Sequence, residues 1–216
     1  GSASGMLAEL LRERGVEAVA VDMSPAYTLA VQDNLPDAVL VYDHFHIIKL
    51  FNEKLSDLRR DLYREAADGL QKKVLKGTRW LLLMNPENLN EKRNERQRLQ
   101  EALKLNEPLA VAYYMKEELR EFWSWGDGDL AKAFLDDWIL RAEYSGIRML
   151  MKFARTLAQH RRGILAYYKY PITTGRLEGT NNKIKTMKRQ AYGYRDQEFF
   201  QLKILAIHET KYALVG

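Results

Sequence analysis

The chain has 216 residues, 46% of them hydrophobic and 29% charged, with a formal net charge of +5 and a pI of about 9.2. That length allows one substantial core, and the modest basic excess permits nucleic-acid binding without establishing it. The absence of cysteine excludes disulfides and cysteine zinc sites and fits a reducing cytoplasm; the best apolar run, WLLLM at 80–84, is far too short to span a bilayer.

The opening GSASG, residues 1–5, reads as a cloning scar, so the natural segment is expected to start near Met6 and to be a piece of something longer. Residues 6–14 predict a helix stopped by Gly15. The run VEAVAV at 16–21 predicts a strand that closes on Asp22. Ser24-Pro25 then starts a helix, serine as cap and proline in the first turn, which ends near Asn34. Residues 38–42, AVLVY, predict a second strand. Two strands joined by one helix make a parallel unit, so 6–45 is expected to form a helix-strand-helix-strand part of an α/β core.

From His46 the pattern changes. Ile47, Phe51, Leu55, Leu58 and Leu62 recur at helical spacing. Further helices are expected near 68–84, 91–103, 107–123, 129–143 and 146–168, with breaks at Gly77, Asn85-Pro86, Asn106 to Pro108 and the GDGD of 126–129. The span 46–170 therefore reads as a large all-helical insertion. The closing part, 171–216, predicts a helix from about Thr174 to Ala191, a YGYR turn and a helix from Asp196 to about Tyr212.

The tetrad Glu178, Gly179, Thr180, Asn181 places an acid at the start of a helix that then turns basic. By helical spacing Asn181, Asn182, Lys185 and Arg189 share the side of Glu178, while Leu177, Ile184, Met187 and Ala191 make a core-facing stripe. An acid can hold a metal and cations can hold a DNA backbone. A solvated amphipathic helix with a dipole-stabilised glutamate is the plainer reading. Gly179 lowers helix propensity, and close approach of a backbone or ligand is one reason for it. Asp22 stands where ligands gather in parallel α/β sheets, or it helps to cap the next helix. Asp43 and His46, three apart at a strand-to-helix junction, can share a hydrogen bond or a metal, or serve as cap and first-turn residue. Lys183, Lys185, Lys188, Arg189 and Arg195 form a basic face with Tyr192 and Tyr194 interleaved; such tyrosines stack on bases or, more often, fill a core. Trp123 and Trp125 carry the same two readings.

The stretches VAVDMSPAYTLAVQDNLPDAVLVYDHFHIIKLFNEKLSDLRR, 19–60, and PITTGRLEGTNNKIKTMKRQAYGYRDQEFFQLKILAIHE, 171–209, resemble the transposase domain of the ISL3 family of bacterial insertion sequences. The resemblance implies an acidic-triad (DDE) transposase with a ribonuclease-H-like core, here truncated to two short parallel strands and interrupted by the helical insertion. It implies Asp22 as the second acid, Glu178 as the third, and Asp43 and His46 as an auxiliary motif near the site. A lesser alignment makes Asp43 the second acid. It further implies Mg²⁺ or Mn²⁺ as cofactor, DNA (transposon ends and target) as partner, and contacts from Lys183, Lys185, Lys188, Arg189 and Arg195; the strand at 16–21, central in such a core, is left with an unpaired edge here, which predicts self-association through that edge or a rearrangement that covers it. No residue stands in for the first acid, so the chain is expected to be a C-terminal, inactive fragment of the catalytic domain. Two other classes remain open: a non-catalytic helical DNA-binding or oligomerisation module, and a metal-dependent nuclease outside transposition.

Overall fold

The computed structural model describes Glu9 and residues 13–206, with the side chains of Arg176 and Leu177 excepted. Most of the helix expected over 6–14, the Leu177 end of the apolar stripe and the close of the last helix lie outside these residues. The chain divides into two compact units, Gly1–Ile172 and Thr173–Gly216.

The first unit opens with a parallel pair. Gly15 adopts φ +62°, the left-handed geometry that ends helices and suits glycine. Strand β1 (Ala18–Val21) leads through helix α1 (Pro25–Asn34) to β2 (Val39–Tyr42). The two strands pair in register from Ala18↔Val39 to Val21↔Tyr42. Backbone bonds from the Val39 amide to the Glu17 carbonyl (2.8 Å) and from the Asp43 amide to the Val21 carbonyl (2.9 Å) extend the ladder at both ends. Ser24 does sit at the cap of α1, but its side chain makes no cap bond; its backbone amide instead donates to Asp22.

The rest of this unit is helical. Helix α2 (His44–Glu65) starts two residues earlier than its apolar spacing suggests, because Asp43 caps it. Ile47, Phe51 and Leu55 are fully buried along one face. The span 68–84 breaks at Gly77 into α3 (Gly69–Lys76) and α4 (Arg79–Leu83). Then follow α5 (Glu95–Leu105), α6 (Glu107–Phe122), α7 (Gly128–Tyr144) and α8 (Arg148–Leu165). Asp127 of the GDGD break accepts from the amides of Asp129 and Leu130 and so caps α7.

Helices α7 and α8 pack along each other, and α2 packs against both α6 and α8. Three aromatic rings meet edge-on at the centre: Phe51 lies 6.1 Å from Trp138 and 4.8 Å from Phe153. The Trp138 indole donates to the Met115 carbonyl at 2.9 Å, which ties α7 to α6 and leaves the buried N–H satisfied. Lys116, also buried, donates to the Leu82 carbonyl (2.8 Å) and lies 2.5 Å from Glu117; burial pushes its ammonium below the ordinary lysine range. Helix α8 reaches the sheet and lies against β2.

The second unit holds α9 (Gly175–Gln190) and α10 (Gln197–Ala206). Between them Tyr192 (φ +49°) and Gly193 (φ +97°) make the turn, and the Gly193 amide bonds to the Lys188 carbonyl at 2.9 Å. The expected core stripe of α9 is weaker than its spacing suggests. Ile184 and Met187 are half-buried, and Ala191 is exposed because the helix has already ended there.

Candidate catalytic acids and the basic helix

Asp22 and Asp43 occupy equivalent places. Each is the first residue past the carboxyl end of its strand, and the register that pairs Val21 with Tyr42 continues onto them. The amide bond from Asp43 to Val21 holds that step. The two residues thus leave the sheet at adjacent backbone positions, at the end where parallel α/β sheets collect ligands. Sequence patterning found both residues but not their lateral pairing; the signal was an aspartate closing each strand.

Their environments differ. Asp22 is half-buried, and its Oδ1 accepts the Ser24 amide at 2.9 Å. One such bond orients the carboxylate without exhausting its acceptor sites. Asp43 is 1% exposed. Its Oδ1 accepts the Phe45 amide at 3.0 Å, and His44 Nδ1 lies 3.7 Å away. His46 is in the first turn of α2, its amide bonded to the Asp43 carbonyl at 3.1 Å. Asp43 is therefore a helix cap, as the plainer reading had it. Desolvation lowers the His44 pKa below the usual histidine value, and the neighbouring Asp43 charge opposes part of that shift.

Glu178 lies in the first turn of α9 and is exposed, with its amide bonded to the Thr174 carbonyl at 2.9 Å. Its place near a helix N-terminus suits a negative charge. Among the described residues, its chain neighbours and its own helix backbone aside, nothing lies within 4 Å of where a Gly179 β-carbon would stand. Lys183, Lys185, Lys188, Arg189 and Arg195 are all exposed. Tyr192 is 101% exposed rather than part of a core, while Tyr194 is half-buried and stacks on Phe200 at 4.8 Å. Trp123 is buried and Trp125 exposed.

Among the described residues, no group of three or more histidine, aspartate or glutamate side chains gathers as a metal site. Asp22 belongs to the first compact unit and Glu178 to the second. No helix among the described residues is long and apolar enough to cross a membrane.

A transposase family model, DDE_Tnp_ISL3, matches residues 4–204. The chain is similar to the transposase for insertion sequence element IS1001 of Bordetella parapertussis, at 41% identity over 193 residues that make up 88% of the chain and 47% of that protein. It is also similar to the transposase for insertion sequence element IS1557 of Mycobacterium tuberculosis, at 29% identity over an alignment of 229 positions, gaps included, that covers 94% of the chain and 51% of that protein. The chain spans about half the length of the curated relatives it matches. No solved structure matches it.

Proposed function

This chain belongs to the ISL3 family of insertion-sequence transposases, and from that membership we propose that it is part of the catalytic domain of a DDE transposase, which cuts and joins DNA strands with the help of a divalent metal. The observation that carries the reading is Asp22, held by the Ser24 amide just past the end of a parallel strand. In this reading the strand pair belongs to a ribonuclease-H-like core, 46–170 is a helical insertion, and the returning helix α9 carries Glu178.

Asp22 and Glu178 would hold Mg²⁺ or Mn²⁺, since carboxylate oxygens suit hard cations. When bound, such an ion polarises the phosphate and lowers the pKa of the attacking water. Asp43, buried and used as a cap, is assigned to positioning α2 and His46 rather than to the metal. Lys185 and Arg189, exposed on the helix of Glu178, would position phosphates, with Lys183, Lys188 and Arg195 adding contacts. No third acid is assigned among these residues, so the 216-residue chain is expected to bind Mg²⁺ weakly and to cut no DNA by itself. Among the described residues β1 pairs only with β2, and its other edge is the proposed route of self-association.

Asp22→Asn and Glu178→Gln, each made in the full-length transposase, are expected to lower metal-dependent cleavage by on the order of 10³-fold while DNA binding persists. Full cleavage by either variant removes that residue from the site. The exposure of all five cations on the second unit favours one other reading, a DNA-binding module without catalysis. Full-length protein that binds DNA with the same affinity with and without Mg²⁺, and never cuts it, would favour that reading.

A further inference from the structure

A cavity of about 960 Å³ opens beside α2, within the first unit and immediately after Asp43 in sequence. That is the upper end of the range for ligand pockets. Three features of its lining point the same way.

The first is a shelf of aromatic rings. His44 lies 4.1 Å from Phe45 and 5.6 Å from Trp123, each pair inclined by 31°. Tyr167 meets His44 edge-on at 5.5 Å. Phe45 is 57% exposed, a large apolar ring left in water at the cavity mouth. An exposed ring such as that of Phe45 is a stacking surface.

The second is charge. Lys49, Lys54, Arg60, Arg79 and Arg120 line the cavity against only two acids, Glu53 and Asp57, an excess of three positive charges. Arg60 pairs with Asp57 and Arg120 with Glu87, while Lys49 and Arg79 are exposed.

The third is unsatisfied polarity. His44 Nδ1, Asn52 Oδ1 and Trp123 Nε1 are closed off from solvent and have no hydrogen-bond partner. All three residues line this one cavity. Trp123 is 8% exposed, so its orphan N–H is a cost that native proteins rarely carry without reason. The trio comprises a donor, an acceptor and an imidazole nitrogen that can be either, the same polar types that a nucleobase edge presents. Because these atoms are closed off from solvent, they meet a ligand only when the lining side chains rotate.

We propose that this cavity binds a single unpaired DNA nucleotide, its base stacked on the Phe45 ring, which packs against His44, and its flanking phosphates met by Lys49 and Arg79. The assignment rests on the transposase reading above and adds to it a site for unstacked DNA. Because His44 directly follows Asp43, a nucleotide held there lies on the chain next to the strand ends that carry Asp22 and Asp43. Extrusion is least costly at a base that is already unpaired.

The test measures binding of this chain, without metal, to two labelled duplexes that differ only in one bulged 2-aminopurine. The bulged duplex is expected to bind about tenfold more tightly, with loss of 2-aminopurine emission on stacking. Phe45→Ala and Arg79→Glu alter exposed side chains and so spare the core; both are expected to bring the preference to within about twofold. Trp123→Phe, which keeps a ring but removes the N–H, is expected to lower it partially. Equal affinity for the two duplexes overturns the proposal and leaves the transposase reading standing, as does a preference that survives both Phe45→Ala and Arg79→Glu. Failure to bind either duplex counts against both.

Discussion

Gly163 of α8 lies so close to Tyr42 of β2 that a β-carbon there would stand 2.5 Å from the tyrosine Cδ2 and 3.2 Å from the Leu40 carbonyl oxygen. This contact lets the helical part of the first unit sit directly on the strand that Asp43 follows. Tyr42 cannot easily move aside. It is buried, its hydroxyl is 3.1 Å from that of Thr28, and His160 packs edge-on against its ring. Gly163→Ala should therefore destabilise the chain by about 1–3 kcal/mol despite alanine's better helix propensity. Urea unfolding of the two proteins would reveal the difference; a neutral or stabilising result would mean that β2 and α8 separate readily.

Asp43 offers a second check on stability. Its carboxylate is buried and caps α2 through the Phe45 amide. Asp43→Ala is expected to cost about 1–2 kcal/mol, and Asp43→Asn, which keeps a cap oxygen, less. Unfolding midpoints of the two variants should fall in that order.

The neutral state of His44 predicts a pH dependence. Burial lowers its folded pKa below 6.5, so the unfolded chain binds more protons as pH drops through that value. This histidine's contribution is full above pH 6.5 and declines below it. His44→Gln should shrink the loss of stability between neutral and mildly acid solution. An unchanged loss would place the titration elsewhere.

The basic face of α9 predicts a salt effect. Replacing Lys183, Lys185 and Lys188 together by alanine should weaken binding to all DNA sequences alike. It should also reduce the slope of log affinity against log salt by about 2–3, if each meets one phosphate. A slope that does not change would show that these lysines face away from DNA.

Much of this arrangement is legible in the sequence because it is local. Short continuous apolar runs mark β1 and β2, and the spacing of Ile47, Phe51 and Leu55 marks the buried face of α2. Aspartates at 43 and 127 announce the helices they cap. What escapes the pattern depends on distant partners. Gly163 looks like an ordinary helix weakness until Tyr42 is seen beside it. Nothing in the sequence around Lys116 marks it as buried, yet the Leu82 carbonyl and Glu117 receive it in the interior. Tyr192 reads as core-compatible, yet the left-handed turn it occupies turns the ring outward into solvent. The side-by-side departure of Asp22 and Asp43 follows from strand register, which neither strand specifies alone.

That register has a kinetic consequence. Ala18 finds Val39 only after the intervening crossover has formed, whereas α7 and α8 meet through a short connection. Non-local parallel pairing is slow compared with closing neighbouring helices. Refolding should thus gain most of its helical signal first, and the alignment of the two strand-end aspartates should be among the last events.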